Sequence, residues 1–288
     1  MKSKAELKIV ECPRDAMQGL EKYIPTADKA HYLNTLLEVG FDTLDFGSFV
    51  SPKAIPQLRD TAEVLSLLDL SKSKTKLLSI IANERGAQDA VKFEHISFLG
   101  YPFSVSETFQ KRNTNATIEQ SLSRVEGIME LCLKNNKELV LYLSMGFGNP
   151  YGDPFHEDIV ANWIEKLSQL DINIFAISDT IGVSEPSIIS RMYHTLLSEY
   201  PQLEIGAHLH TQAHSWREKV EAAYENGCRR FDGAIAGYGG CPMADDELTG
   251  NMPTENMLQY FQEVGEELSL EMQAFQKAQG IASELFSN

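Results

Sequence analysis

Apolar residues recur along this chain in two alternating patterns. Short runs rich in aliphatic and β-branched residues alternate with longer segments in which apolar residues return every three or four positions. The first pattern is typical of buried strands, and the second is typical of amphipathic helices that pack on a sheet. The pattern predicts eight strands, at residues 7–12, 43–48, 76–82, 95–100, 138–144, 174–179, 204–210 and 230–236.

The segments between these runs have helical spacing. In residues 157–170 one helix face collects Val160, Trp163, Ile164, Leu167 and Leu170. Strands that alternate with helices of this length pair in parallel through right-handed crossovers. Eight such units predict a (β/α)8 TIM barrel as a single α/β catalytic domain over residues 1–288, in which 254–286 form a closing helix and a C-terminal helical extension.

A doubly wound open sheet is the rival architecture. Its dinucleotide-binding versions carry a glycine-rich fingerprint directly after the first strand. This chain has "ECPRDAMQG" at that place instead. The pattern therefore favours the barrel.

Composition and charge narrow the class of partner. The formal charge is -16, with only 25 Lys and Arg residues, which argues against binding a nucleic-acid backbone and favours a small-molecule substrate. The four cysteines form no CxxC pair, as expected for a reducing compartment rather than a disulfide framework or a thiolate zinc site. We find no signal-peptide pattern and no apolar run near the ~20 residues that cross a bilayer, so we expect a cytoplasmic protein without a membrane partner.

Chemistry in a barrel lies at the C-terminal ends of the strands, and polar residues collect there. They include Arg14, Asp15, Asp45, Ser48, Tyr142, Asp179, His208 and His210. In "AHLHTQAH" the two histidines share one face of a strand, because alternate residues point the same way. With Asp15 from a neighbouring strand they would form half of an octahedral shell for a divalent ion. The alternative is a buried, hydrogen-bonded histidine pair, with Asp45 and Asp179 as helix caps or arginine partners.

The stretch "GAIAGYGGCPMADDELTGN", residues 233–251, is the second distinctive segment. Four glycines and a proline within ten residues predict a mobile loop over the barrel mouth. Cys241 lies at the centre of this loop. It is a candidate general acid or base, and the alternative is that it only packs.

Taken together, these stretches resemble the 3-hydroxy-3-methylglutaryl-CoA lyase family from about residue 8 to residue 260. The motifs that carry the resemblance are "PRDAMQ", "SFVSPKAIPQLRD", "SDTIGV", "AHLH", and "GGCP" followed by "TGNMPTEN". The resemblance implies that Asp15, His208, His210 and Asn251 bind a divalent metal, Mg²⁺ or Mn²⁺. It also implies an enolate-stabilising role for Arg14 and a proton-carrying role for Cys241. The further catalytic candidates are His208 and Asp179, and the substrate-binding candidates are Gln18, Asp45, Ser48 and Tyr142.

The resemblance further implies a metal-dependent retro-aldol cleavage of a 3-hydroxy-acyl-CoA, above all of 3-hydroxy-3-methylglutaryl-CoA to acetoacetate and acetyl-CoA. Homodimers are common among such barrels, so we expect one here. The alternatives are a related condensing synthase, a lyase for a different hydroxy acid, and a metal- or acyl-binding barrel without turnover. The chain departs from the family near the barrel mouth: "HLHTQAHSWREK" replaces "HxHDTYGQAxAN", and Asp45 stands where glutamate is usual.

Overall fold

The computed structural model describes residues 6–240 and 249–286. The strands are β1 Lys8–Glu11, β2 Thr43–Ser48, β3 Lys76–Ile80, β4 Ile96–Ser104, β5 Glu138–Ser144, β6 Ile174–Asp179, β7 Glu204–Thr211, β8 Arg230–Gly233 and β9 Gly250–Asn251. The helices are α1 Pro13–Gln18, α2 Thr26–Val39, α3 Thr61–Ser66, α4 Glu84–Ala90, α5 Glu107–Thr114, α6 Ile118–Lys134, α7 Glu157–Ser168, α8 Pro186–Glu199, α9 Trp216–Glu225, α10 Thr254–Glu263 and α11 Met272–Phe286.

Strands β1 to β8 form one closed parallel sheet. Each strand pairs with its neighbours in chain order, and β8 also pairs with β1, so the sheet closes on itself. Closure is complete because β1 runs beside β8 over four residue pairs, from Lys8 opposite Arg230 to Glu11 opposite Gly233. The predicted (β/α)8 barrel is thereby confirmed, and the open doubly wound sheet is excluded.

The helices cover the outside of the barrel with the faces that the sequence pattern predicts. On α7, Val160, Ile164 and Leu167 are buried. A capping box fixes the start of α6, where the Thr117 side chain accepts from the backbone of Gln120 and the Gln120 side chain accepts from the backbone of Thr117. Among the described helices, none is both long and apolar enough to cross a membrane.

The C-terminal stretch over 254–286, for which a closing helix and a helical extension are expected, contains two helices. It consists of α10 and α11, separated by a turn in which Gly265 has a φ of 80°. A left-handed residue ends a helix, and glycine adopts that conformation without a steric cost. Helix α11 then packs against α2 and the turn after it through edge-to-face ring pairs: Phe286 with Tyr32 of α2, and Phe275 with Phe41 of the turn.

The interior of the barrel has an apolar half and a charged half. The apolar half is the cluster of Leu78, Ile80, Phe98, Val140, Tyr142, Ile174 and Ala176 from β3 to β6. In the charged half, Glu204 contacts Lys8 at 2.5 Å and Arg230 at 3.2 Å, and Arg230 contacts Asp232 at 2.9 Å. Gly206 makes room for this series of ion pairs, because a Cβ atom there would lie 3.0 Å from the Arg230 side chain. The ion pairs continue along β8 towards the C-terminal end of β7.

Glu11 joins β1 to the start of α10, and we expect it to make stability depend on pH. Its Oε1 accepts from the backbone N–H of Ile235 at 2.9 Å and its Oε2 from Thr254 Oγ1 at 2.5 Å. Burial raises the pKa of Glu11 to about 8, from an ordinary value of 4.5. Between these two values the folded protein binds the proton more tightly than the unfolded chain, so the free energy of unfolding falls as pH rises from 4.5 to about 8.

The variant Glu11→Gln keeps both hydrogen bonds, if the Thr254 hydroxyl turns, and carries no charge. We therefore expect its melting temperature to fall less than that of the wild type between pH 5 and pH 8. Scanning calorimetry measures the difference, and Glu38→Gln, at an exposed position of α2, controls for the loss of a carboxylate. Equal slopes for wild type and Glu11→Gln would contradict the expectation.

Candidate active site

A cavity of about 490 Å³ opens at the C-terminal ends of the barrel strands. This is the end at which barrel enzymes place their active sites. Six of the residues singled out from the sequence line it: Arg14, Asp15, Gln18, Tyr142, His208 and His210. Asp45, Ser48, Asp179 and Asn251 lie behind the lining, and Cys241 lies outside the described residues.

The short helix α1 carries three of the lining residues directly after β1. Pro13 begins this helix, a position at which the missing N–H costs nothing. Arg14 Nη1 donates to Asp15 Oδ1 at 2.7 Å and to Gln18 Oε1 at 2.7 Å, while its Nε and Nη2 donate to Asp45 Oδ2 at 2.9 and 2.6 Å. These bonds use four of the five guanidinium N–H groups. The remaining Nη2 hydrogen has no partner in the described part of the chain, so Arg14 keeps a donor for a ligand.

Asp45 lies behind the cavity lining and holds Arg14 in place. Burial would lower the pKa of Arg14, but the nearby carboxylates of Asp45 and Asp15 raise it, so the guanidinium stays charged. Burial also raises the pKa of Asp45 to about 6, against the opposing influence of Arg14. Because Asp45 is fully buried and does not line the cavity, it positions Arg14, and direct substrate contact by Asp45 stays a prediction.

The two histidines of β7 both face the cavity, as their spacing predicts. His210 Nδ1 lies 3.0 Å from the carbonyl oxygen of Thr180, and His208 Nδ1 lies 3.2 Å from Asp232 Oδ2. Both partners are acceptors, so each Nδ1 carries a proton, and Nε2 is the nitrogen that has a lone pair when the ring is neutral. His210 Nε2 is buried without a hydrogen-bond partner among the described residues. Leaving such an atom unpaired is costly, and it suggests a ligand that the protein atoms do not supply.

Asp15 completes a set of three ligand atoms with the two histidines. One carboxylate oxygen and one ring nitrogen from each imidazole lie within 4.8 Å of one another. Burial lowers the pKa of His210 to about 4, so the ring is neutral near pH 7. Burial would raise the pKa of Asp15, but the charged Arg14 lowers it, so the carboxylate is ionised. Burial would lower the pKa of His208, but its hydrogen bond to Asp232 and the nearby carboxylates raise it. Two imidazoles and one carboxylate, with open positions beyond them, fit a divalent cation.

Asn251 reaches this site through a strand that the sequence pattern does not reveal. The two-residue β9 pairs antiparallel with β7 and places Asn251 opposite His210. Its Nδ2 donates to Asp15 Oδ2 at 2.7 Å and to the carbonyl oxygen of Tyr238 at 2.9 Å. Asn251 thus orients the Asp15 carboxylate, and its role as a fourth ligand stays a prediction. Gly239, at a φ of 93°, leaves the space for this contact, because a Cβ atom there would lie 2.8 Å from Asn251 Nδ2.

A second group of potential ligands, formed by Cys12, His208 and Asp232, lies on the inner side of His208. Burial raises the pKa of Cys12 well above its usual value, so it is a thiol rather than the thiolate that binds metal. Asp232 is engaged by Arg230 and by His208 Nδ1. We conclude that Asp232 orients His208 from behind. Its alternation with Arg230 in "RFDG" is the signal that places both charged residues on the inward face of β8.

Ser48 and Asp179 also act from behind the cavity wall. Ser48 Oγ donates to the carbonyl oxygen of Ile80 at 3.3 Å and accepts from the backbone of Val50 at 3.1 Å, so it shapes the turn that brings Val50 to the cavity. Asp179 Oδ2 accepts from Lys219 Nζ at 2.8 Å. The catalytic role of Asp179 and the substrate-binding role of Ser48 stay predictions.

The wall opposite the histidines is apolar. In the closed sheet β3 lies four strands from β7, and the lining on the side of β2 to β5 includes Val50, Ile55, Ile80, Pro102 and Phe109. Arg112 and Asn113 of α5 line the cavity as well. Sequence reasoning missed them, because nothing in an ordinary polar helix face indicates that it borders a cavity.

Known proteins resemble this chain along most of its length. Hydroxymethylglutaryl-CoA lyase of Bacillus subtilis is 31% identical over 246 residues, which are 85% of this chain and 81% of that protein. A Pseudomonas aeruginosa protein named 3-hydroxy-3-isohexenylglutaryl-CoA/hydroxymethylglutaryl-CoA lyase is 30% identical over 254 residues, or 88% of this chain and 84% of that one. Among solved structures, an A. baumannii HMG-CoA lyase in complex with coenzyme A and 3-methylmalate superimposes with a TM-score of 0.90 at 30% identity, covering 99% of this chain and 93% of that one.

The family assignment follows from the match to a whole-family profile. The HMGL-like profile matches residues 7–281, which include the complete barrel and every described residue of the site. The match agrees with the resemblance seen in the sequence motifs and with the likeness to solved HMG-CoA lyases. This chain belongs to the HMGL-like family.

Proposed function

We propose that this protein is a divalent-metal-dependent carbon–carbon lyase that cleaves 3-hydroxy-3-methylglutaryl-CoA to acetoacetate and acetyl-CoA. The observation that carries the proposal is the ligand set of Asp15, His208 and His210 in one cavity with the charged Arg14. The names of the relatives, at about 30% identity over most of the chain, support this substrate.

The metal centre would consist of Asp15, His208 and His210, with Asn251 as a proposed fourth ligand. Mg²⁺ or Mn²⁺ suits such a mixed nitrogen and oxygen set. When bound, the cation supplies Lewis acidity that lowers the pKa of a neighbouring hydroxyl group. Asp232 and the carbonyl oxygen of Thr180 keep both imidazoles in the tautomer that presents Nε2.

The protein's own side chains stabilise the negative charge that develops as the substrate is cleaved. A general base takes the proton of the C3 hydroxyl, whose electron pair then forms the carbonyl of acetoacetate while the C2–C3 bond breaks. The bonding pair passes to the thioester fragment as an enolate, whose oxygen accepts from the unpaired Nη2 hydrogen of Arg14. A proton delivered to the enolate carbon gives acetyl-CoA, and Cys241 is the proton carrier proposed from the family resemblance. The largely buried setting of Arg14 strengthens its interaction with the developing charge.

The apolar wall favours a second candidate within the same chemistry. The hydroxyl and carboxylate of the substrate suit the polar side formed by α1 and β7, which leaves the C3 substituent facing Val50, Ile80 and Phe109. A longer hydrocarbon at C3 fits such a surface by burial of apolar area. One relative is named for an isohexenyl substrate of this kind. The alternative function is therefore cleavage of a 3-hydroxy-3-alkylglutaryl-CoA with a longer chain.

One experiment tests both candidates. Acetyl-CoA release is measured from 3-hydroxy-3-methylglutaryl-CoA and from its 3-isohexenyl analogue, with Mg²⁺, with Mn²⁺ and with EDTA. We expect metal-dependent turnover of the methyl substrate. A kcat/KM more than about tenfold higher for the isohexenyl analogue, a difference of about 1.4 kcal/mol, would favour the second candidate. Release from neither substrate by protein that binds Mn²⁺ would leave a metal- and acyl-binding barrel without turnover.

The remaining assignments concern the whole protein. We propose a single catalytic domain over residues 1–288, a cytoplasmic location, and a homodimer. The continuous match of the family profile over 7–281 supports the single domain. Cell fractionation and light scattering coupled to size-exclusion chromatography test the location and the assembly.

A further inference from the structure

Lys219 is a buried cation one layer behind the metal ligands. It lies in α9 and is only 3% exposed. Its Nζ donates to Asp179 Oδ2 at 2.8 Å, to the carbonyl oxygen of Gly182 at 2.9 Å and to the carbonyl oxygen of His210 at 2.9 Å. Three acceptors use all three hydrogens of the ammonium group. Lys219 therefore ties the end of β6, the loop after it, and the end of β7 to one point.

Lys219 contacts the segments that carry both partners of the hydrogen bond that orients His210. The Thr180 carbonyl that accepts from His210 Nδ1 lies in the loop between Asp179 and Gly182. The loop is held further by Ser184, whose N–H and hydroxyl both donate to Asp179 Oδ2. Lys219 thus fixes the backbone of His210 and also the segment that carries the acceptor for its ring.

The chain's own sequence sets this contact apart from the family pattern. The segment after the second histidine ends in Lys219, where the family pattern quoted above ends in asparagine. A buried lysine is retained only with a counter-charge and with its hydrogens satisfied, and Asp179 and the two carbonyl groups provide both. The arrangement accordingly needs Asp179, and it accounts for a carboxylate that does not line the cavity.

We infer that Lys219 is a positioning residue for the metal centre: it holds His210 so that Nε2 faces the cavity, and it thereby sets the affinity for the divalent cation. It does not line the cavity, and it contacts His210 only at the backbone carbonyl oxygen. The inference rests on the metal centre of the proposed function but not on the identity of the acyl group.

The test is Mn²⁺ affinity, measured by titration calorimetry on protein stripped of metal. We expect Lys219→Met to bind Mn²⁺ about 10- to 100-fold more weakly than the wild type, the range typical for groups that orient metal ligands. Affinity is compared well below the melting temperature of each variant, so that lost stability does not enter the result.

A matched control is available in α2. Lys29 is 2% exposed, and its Nζ contacts Asp60 Oδ1 at 2.7 Å and the carbonyl oxygen of Gln57. None of these three residues lines the cavity. We expect Lys29→Met to lose stability, as any broken buried ion pair does, and to keep the wild-type affinity for Mn²⁺.

A second variant keeps the inference testable if Lys219→Met does not fold. Lys219→Met with Asp179→Asn leaves no unpaired carboxylate, yet it does not restore the tether to the carbonyl groups of Gly182 and His210. We expect it to fold and to bind Mn²⁺ weakly. Wild-type affinity in either Lys219 variant, or an equal loss in Lys29→Met, would overturn the inference. Failure of the wild type to bind Mn²⁺ at all would instead contradict the proposed metal centre.

Discussion

Replacing Arg14 with methionine is expected to lower kcat by about 10²- to 10³-fold, the usual consequence of losing one donor to a developing oxyanion. Mn²⁺ affinity should be retained or should rise. The reason is that Arg14 Nη1 donates to Asp15 Oδ1, so its removal would free a carboxylate oxygen of Asp15 for the proposed cation. Steady-state release of acetyl-CoA, combined with Mn²⁺ titration, separates the two effects.

Arg14→Met also leaves Asp45 buried without its partner. The double variant with Asp45→Asn controls for this, because it removes the uncompensated carboxylate. We expect the double variant to recover melting temperature but not turnover. Recovery of turnover would show that Arg14 serves only to neutralise Asp45, and the enolate-stabilising role would then be wrong.

Much of the barrel follows from local pattern alone. The predicted bounds of β2, β5 and β6 agree with the structure, because each is a short apolar run that a helix or turn follows directly. Strand β4 runs to Ser104, beyond its predicted end at residue 100, because the chain continues through Pro102 beside Tyr142 of β5. Strand β9 has only two residues, and its existence depends on pairing with β7 rather than on any periodicity.

Some residues of the candidate site could likewise be predicted from local pattern, and others could not. Alternation within β7 was enough to place His208 and His210 together on the cavity side. Asp232 and Lys219 were missed because their roles depend on contacts with residues distant in sequence, which a single chain's periodicity does not encode. Asp45 has an arginine partner, Arg14, as the alternative interpretation of this strand-end carboxylate predicts. Asp179 pairs with a buried lysine, Lys219, instead of an arginine.

The two buried cations, Arg14 and Lys219, act on the proposed metal site in the same way. Arg14 and Lys219 each bridge a buried carboxylate and an element that carries a proposed ligand: Arg14 bridges Asp45 and Asp15, and Lys219 bridges Asp179 and the backbone of His210. Two of the proposed ligands, Asp15 and His210, are thus held by charge-assisted contacts before any cation binds. Such preorganisation lowers the cost of ordering the site on binding.

Replacing His210 with alanine is expected to remove divalent-metal binding and, with it, turnover. The loss of Mn²⁺ affinity should exceed the roughly 100-fold upper range for groups that only orient a ligand. The metal-free protein should melt close to the wild type. The substitution leaves a small cavity and loses the bond to Thr180, but it also removes a ring nitrogen that is buried without a partner among the described residues.

The decisive measurement is the shift in melting temperature on adding Mn²⁺. Saturating ligand at about 100 times its Kd stabilises the folded state by about 2.7 kcal/mol, so the wild type should shift upwards and His210→Ala should not. His214→Ala is the matched control, because this exposed histidine belongs to the same "AHLHTQAH" segment. We expect it to shift as the wild type does. A large drop in the melting temperature of metal-free His210→Ala, with the Mn²⁺ shift preserved, would show that the histidine pair supports the fold and that the cation binds elsewhere.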